Sequence, residues 1–416
     1  MKRVVFFLVW TVMLAAPGSI AAGTFSFTDV NYPGASLTVA SGINDSGQIV
    51  GYYSDTSGVG HGFLLSAGTY TTIDCPSPYT TSSLASGINS SGQIVGYCAA
   101  PGGISVSYGA TRSFLLSGGV LTFLPDAPGS YRGASTFAYS INDTGQIVGS
   151  YADGCLCTAH GFLLSAGTFT TIDVPGFAAS AAYGINNSGQ ITGLTQLTWG
   201  ASFPHGFLLN GGTYTLIDDP DSGTPYYTWA QTINNFGKVV GVYYSNNGAN
   251  QHGFLLDGGT FTTIDHPNAL GTGAFGINSQ GQIVGAYSDL NNVPHGFVTK
   301  RLFSVALLYD WTRAAKSGST IPIKLQLLNE SGSNLSSSGI TAHSISVTEK
   351  STAISGLLED SGNANPDNDF RFDPSLGGTG GYIFNLSTKG LSTGTYSLNF
   401  TVTGDSIVYA APFQVR

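Results

Sequence analysis

The sequence predicts an all-β chain: a six-bladed β-propeller closed by its N-terminal strand, followed by a C-terminal β-sandwich. Three observations predict it. A core of the form Gly-Ile-Asn-x-x-Gly-Gln-Ile-Val-Gly recurs six times between residues 42 and 285, its asparagines 44 to 53 residues apart. That is the period of four-stranded propeller blades. The two ends of the repeat region carry complementary incomplete units. Charged residues make up 9% of the chain against 58 glycines, 21 tyrosines and 24 phenylalanines, a composition suited to short strands joined by tight turns.

The chain opens with Lys2 and Arg3, an apolar run from Val4 to Ala15, a break at Pro17 and small residues as far as Ala21. This is the layout of a secretory signal peptide, residues 1–21, and it is too short for a convincing membrane span. No cysteine follows the run to carry a lipid, and no later stretch has the length and apolarity of a spanning helix. The mature chain is therefore expected to be secreted, without membrane insertion. Its net charge of −9 is spread along the chain, and between Gly23 and Lys300 the only basic side chains are Arg112, Arg132, Lys238 and Lys300. A nucleic-acid partner needs a basic face, so that class is excluded.

Residues 22–300 form the six repeat units. The core stands at Gly42–Gly51, Gly87–Gly96, Gly184–Gly193 and Gly276–Gly285, with variants from Ser140 to Gly149 and from Thr232 to Gly241. Each unit reads as four strands. The first ends in Ile-Asn, and Asn-x-x-Gly makes a type I turn into the second, Gln-Ile-Val-Gly-Tyr in unit one. The third is His-Gly-Phe-Leu-Leu, as in His160–Leu164, and a tight hairpin leads to a fourth such as Thr168–Asp173. Thr24–Asp29 is a fourth strand with no blade before it, and the sixth unit stops at its third strand, His295-Gly296-Phe297. Pairing the two antiparallel completes one blade, removes both open edges and brings Asp29 to His295. An open solenoid would instead need caps at its ends.

His-Gly-Phe-Leu-Leu together with Gly-Ile-Asn-x-x-Gly-Gln-Ile-Val-Gly resembles the bacterial extracellular repeats of the HAF family, over about two-thirds of the chain. The resemblance implies a repeat architecture and an extracellular setting and transfers no activity. Unit two departs from the pattern, with Arg112-Ser113-Phe114 in place of His-Gly-Phe. From Arg301 the period stops. Thr320–Leu327, Tyr382–Leu386 and Thr395–Val402 alternate as strands, so residues 301–416 read as a β-sandwich. Lys316–Leu328 with Tyr382–Thr403 is similar to the immunoglobulin-like modules at the ends of bacterial surface proteins, here with no cysteine pair to staple it.

Four cysteines, Cys75, Cys98, Cys155 and Cys157, allow three disulfide connectivities in an exported chain. Cys75 precedes the first strand of unit two and Cys98 follows its second, so both fall at one end of one blade. A Cys75–Cys98 disulfide is expected, which leaves Cys155 with Cys157. His61, His160, His205, His252 and His295 recur at one position, which argues for a framework role. Across the hairpin they should meet Asp74, Asp173, Asp218 and Asp265, while Arg112 meets Asp126, a cation kept where the histidine is lost.

Non-repeated residues are the better binding candidates. Trp199 and Phe203 lie in one loop, and Tyr226, Tyr227 and Trp229 lie in the connection into unit five. Both are on the loop-bearing face, where aromatic rings stack on sugars or anchor a partner. The alternative is that they fill the gap between two blades. Asp218, Asp219 and Asp221 lie close by in an Asp-Pro-Asp turn. No glutamate occurs between Gly23 and Lys300, the chain's three being Glu330, Glu349 and Glu359. A paired-carboxylate glycosidase would have to work with aspartates alone. In the C-terminal module Asp360, Asn363, Asn365, Asp367 and Asp369 place oxygens at intervals that a calcium ion would use, or that an Asx-rich turn would. No other cofactor is expected. The sequence thus points to a secreted, non-catalytic binding protein with a polysaccharide or cell-surface component as partner. The alternatives are a secreted carbohydrate-active enzyme using aspartates and a structural matrix protein.

Overall fold

The computed structural model describes residues 25–79, 82–99, 111–130, 136–153, 158–197, 204–222, 227–245, 250–267, 269–300, 303–328, 332–349, 355–356, 366–403 and 405–416. The larger of two compact units centres on Phe27–Thr299 and the smaller on Lys300–Arg416.

The larger unit is a β-propeller of six four-stranded antiparallel arrays. In the first, Leu37–Ile43, Ile49–Ser54, Gly60–Ser66 and Thr69–Ile73 pair in sequence order. The next four repeat that order, the sixth takes its fourth strand from the N-terminal end of the chain, and one parallel bridge, Gly60 to Ser82, links the first array to the second. Period-two burial builds each blade's core. The phenylalanine of the third strand (Phe63, Phe114, Phe162, Phe207, Phe254 and Phe297) is at most 1% exposed in every blade. A fourth-strand ring meets it edge-on, as Tyr70 meets Phe63 at 5.5 Å and Phe169 meets Phe162 at 5.2 Å. The glycine that ends Gln-Ile-Val-Gly makes room for this ring. A Cβ on Gly193 would lie 2.0 Å from the Ala181 carbonyl oxygen and 2.7 Å from the Phe207 ring.

Two sets of hydrogen bonds join neighbouring blades. The repeated asparagine first makes its own turn: Asn44 Oδ1 accepts the Ser46 and Gln48 amides, and Gly47 adopts φ +75°. Its Nδ2 then donates to the carbonyl of the next blade's asparagine. Asn44, Asn89, Asn142, Asn186 and Asn234 pass this bond forward and Asn278 returns it to Asn44, all at 3.0–3.2 Å. The second set is a latch. The amide two residues beyond the outer strand reaches a hydroxyl on the next first strand, as Cys75 does to Ser83 at 2.9 Å and Asp219 to Thr228 at 3.0 Å. The Ala127 amide of unit two, four residues beyond Val120–Phe123, does the same to Thr136 at 2.9 Å. In unit two Ser113 replaces the third-strand glycine, and its hydroxyl bonds both the Thr136 carbonyl and the Ala138 amide. The deviation from the repeat motif thus adds an inter-blade bridge.

The N-terminal strand, Ser26–Val30, lies beside Pro294–Lys300 in the sixth array. Its contacts copy those of an outer strand. Phe27 meets Phe297 edge-on at 5.2 Å, and the Tyr287 hydroxyl donates to Asp29 as Tyr53 bonds Thr72 in blade one. The register corrects the sequence expectation by two residues. His295 Nδ1 faces Asn31 Oδ1 at 3.2 Å, not Asp29. Side chains alternate with period two, so a shift of two leaves every side chain on its expected face and changes only which residue fills each place. Val30, 2% exposed, takes the place of Ile73, and Asn31 that of Asp74.

Cys75 and Cys98 form a disulfide with Cα atoms 5.9 Å apart, while Cys155 and Cys157 lie outside the described residues. The bridge closes a short loop inside one blade. Replacing both cysteines by serine is expected to lower stability by about 3 kcal/mol, measured by denaturant unfolding against the oxidised parent.

The smaller unit is a sandwich of two antiparallel sheets. One orders Ser304–Leu307, Thr320–Leu328, Gly381–Ser387 and Arg371–Asp373; the other orders Ser355–Gly356, Ala342–Glu349, Gly394–Val402 and Asp405–Val415. Leu325, Leu327, Tyr382, Leu398, Phe400 and Ala411 are fully buried in their shared core.

Candidate functional site

Every first strand carries a bulge at the same place. The pairing to the second strand skips one residue in each blade: Ser41, Ser86, Tyr139, Tyr183, Gln231 and Phe275. A bulged residue leaves the ladder and its side chain is re-aimed. All six line one axial cavity of about 210 Å³. The residue that follows is glycine in four blades, because the inner strands crowd there: a Cβ on Gly87 would lie 2.7 Å from the Tyr139 carbonyl oxygen. Towards the asparagine ring the axis narrows to a space of about 80 Å³ bordered by Asn44, Asn89, Asn142 and their equivalents.

Tyr52, Tyr97 and Trp229 add to the cavity wall, and no charged side chain among the described residues lines it. Burial pushes the phenols of Tyr52 and Tyr139 up to about 12, and it raises those of Tyr97 and Tyr183 as well. All four are therefore neutral hydroxyls at any physiological pH. Tyr139 shares a hydrogen bond of 3.1 Å with Ser150, while the buried indole N–H of Trp229 finds no acceptor among the described residues. Desolvated polar groups beside aromatic rings, with one donor unsatisfied, suit an uncharged ligand that is itself part polar.

Of the aromatics expected from sequence, Tyr227 and Trp229 stack at 6.3 Å, and Tyr244 packs on both at 4.7 and 6.1 Å. Tyr244, on a second strand, completes a cluster that the loop positions alone did not reveal. Trp199, Phe203 and Tyr226 lie outside the described residues. The histidines take the framework positions expected of them. His61, His160, His205 and His252 bond Asp74, Asp173, Asp218 and Asp265 at 2.7–3.0 Å. Tyr53 and Tyr243 stack on His61 and His252. Arg112 comes within 3.9 Å of Asp126, a looser pairing than the histidines make.

Burial raises the carboxyls of Asp218 and Asp219. Asp219 nonetheless serves its turn, accepting the Asp221 amide at 2.9 Å while its carbonyl takes the Ser222 hydroxyl. Among the described residues no group of three or more His, Cys, Asp or Glu is placed to hold a metal. Of the calcium candidates, Asp360, Asn363 and Asn365 lie outside the described residues. Asp367 sits in a turn at φ +59°, and Asp369 bonds His343 at 2.7 Å.

The axial bulge residues were missed by sequence reasoning, yet a signal was present. The residue between the repeated alanine and the Ile-Asn core region changes from unit to unit while that alanine and the Ile-Asn do not, reading Ser, Ser, Tyr, Tyr, Gln, Phe.

Fold and site together define a repeat propeller with an uncharged, aromatic-walled axial cavity. No protein-family model and no curated protein matches the chain. Among solved structures it is similar to a mutant of AofleA from Arthrobotrys oligospora, at 13% identity over 68% of this chain and 92% of that one, with a TM-score of 0.38. It is also similar to the Aleuria aurantia lectin in complex with Fucα1-6GlcNAc, at 11% identity over 63% and 91% with a TM-score of 0.36. A further structure of that fungal lectin, described as a six-bladed β-propeller with a novel fucose recognition mode, matches at 14% identity over 55% and 77%, TM-score 0.36.

Proposed function

We propose that the chain is a secreted, non-catalytic binding protein. In this reading a six-bladed propeller closed by its N-terminal strand binds polysaccharide or a cell-surface glycan, and an immunoglobulin-like module follows it. The observation that carries the binding reading is the aromatic cluster of Tyr227, Trp229 and Tyr244. Three adjoining rings offer the apolar faces on which sugar C–H groups stack. Closure is supported by the outer-strand contacts of Phe27 and Asp29 and by the asparagine bond from blade six back to blade one. The module reading is supported by strand order, which follows the A-B-E-D and C′-C-F-G arrangement of immunoglobulin sheets. At the start of the penultimate strand the Tyr396 hydroxyl bonds back to the Ser392 carbonyl, in the manner of a tyrosine corner. The layout of residues 1–21 supports export.

Asp218 and Asp219, adjacent half-buried carboxyls raised by burial, favour a second reading, a carbohydrate-active enzyme that uses aspartates for acid–base work. One screen separates the two. The mature protein is expected to retain at least one polysaccharide on an array without releasing sugar. Tyr227→Ala should weaken retention about tenfold, the loss of one stacking contact of about 1.4 kcal/mol. Sugar release abolished by Asp219→Asn would reverse the choice.

A further inference from the structure

We infer that the axial cavity is a binding site for one neutral monosaccharide-sized ring. This site shares Trp229 with the aromatic cluster on which the glycan reading stands, but none of its six bulge residues is in that cluster and it does not depend on that reading. The argument rests on size, charge and the arrangement of polar groups.

Size comes first. A dry cavity of about 150 Å³ accepts a benzene ring. The axial space of about 210 Å³ therefore admits a six-membered ring with substituents. Charge comes next. Among the described residues no Asp, Glu, Lys, Arg or His lines the cavity, and its tyrosines are held neutral by burial. An ion entering it would lose its hydration and gain no counter-charge, so anionic and cationic ligands are disfavoured.

The polar groups narrow the class further. Phe275 and Trp229 supply ring faces in adjacent blades, Gln231 adds an amide on the same strand as Trp229, and hydroxyls come from Ser41, Ser86, Tyr139 and Tyr183 in the other four. The wall thus combines apolar surface with groups able to donate and accept hydrogen bonds. A pyranose has the matching pattern, with apolar C–H faces and a rim of hydroxyls. A purely aromatic ligand would cover these polar groups and leave them unsatisfied. The backbone supports the assignment as well. All six wall residues sit on bulges outside the strand ladder, so blade packing does not dictate their side chains.

The test is calorimetry or ligand-observed NMR on the mature full-length protein with D-glucose, D-galactose, D-mannose and L-fucose, using D-glucuronate and phenol as counter-probes. At least one neutral sugar is expected to saturate in the millimolar range or better. Gln231→Leu, which keeps shape and removes the amide, should weaken it at least tenfold. Ser41→Phe, which fills the cavity, should abolish it at an unchanged melting temperature. If Ser41→Phe does not fold, Ser86→Leu in the neighbouring blade takes its place, with the same loss expected. The inference is overturned if no neutral sugar binds at tens of millimolar, if the filled variants bind as well as the parent, or if glucuronate or phenol binds more tightly. The two proposals also fail separately. Polysaccharide retained by a protein that binds no monosaccharide leaves the glycan reading standing and removes this one. Monosaccharide binding lost on filling the cavity, with no polysaccharide retained, does the reverse.

Discussion

A chain lacking residues 22–31 is expected to melt at least 10 °C below the parent and to self-associate. The deletion removes Ser26–Val30 and with it the outer strand beside Pro294–Lys300. Phe297, now at 0% exposure, loses Phe27 as its edge-on cover, and the buried Val30 goes with it. Each large apolar side chain taken out of burial costs about 1.5–3 kcal/mol, and the lost ladder bonds add to that. At about 2–4 °C per kcal/mol for a domain of this size, the shift is large enough to read in any calorimeter. The newly exposed edge of Pro294–Lys300 is a template for another chain, so size-exclusion chromatography should show oligomers. Adding a peptide of residues 22–31 should reverse both effects in part. An unchanged transition would mean that this strand contributes nothing to the ring.

Asn186→Leu is expected to cost about 4 kcal/mol in denaturant unfolding, although it swaps a polar side chain for an apolar one of similar size. Asn186 is 3% exposed and makes four hydrogen bonds. Its Oδ1 accepts the Ser188 and Gln190 amides, and its Nδ2 donates to Gln190 Oε1 and to the Asn234 carbonyl. Leucine leaves two amides and the neighbouring blade's carbonyl without these partners, at about 1–3 kcal/mol for each group that stays buried. The parallel change Asn234→Leu should cost less. Lys238 stands where the other blades have glutamine, and its amine is engaged with Asp257 at 2.8 Å, so one bond fewer is at stake.

The fold was legible because the repeat displays it six times. Strand order, the Asn-x-x-Gly turn, the His–Asp pairs and the Cys75–Cys98 bridge all follow from spacing and period-two alternation, which are local properties of the chain. The N-terminal register was misplaced by two residues because alternation alone cannot tell Thr24–Asp29 from Ser26–Asn31. Only the contacts of Phe27 and Asn31 with the sixth array decide it. The asparagine ring illustrates the other limit. Its turn role could be read from Asn-x-x-Gly, but the bond it passes to the next blade spans 44 to 53 residues and depends on how the blades meet. The candidate site was harder still. Attention went to aromatics that break the repeat in the loops, Tyr227 and Trp229 among them, while the axial positions lay inside the motif. In units three and five the bulge shifts pairing by one residue with serine or threonine, not glycine, after it, so Tyr139 and Gln231 read as ordinary strand residues.

That bulge gives the chain a separation of labour. The residues on either side of it, the alanine that packs and the Ile-Asn that turns and links, are shared by all six units and hold the ring together. The residue on it forms no ladder pair and can change alone. Six positions, one per blade, then act as an alphabet written around an axis, currently spelling Ser-Ser-Tyr-Tyr-Gln-Phe. A duplicated blade brings a new letter without rewriting the others. Proteins built on this repeat could diversify what they hold at the centre by single substitutions, at little expense to folding, and the letters before each Ile-Asn core would be the first place to look for the difference.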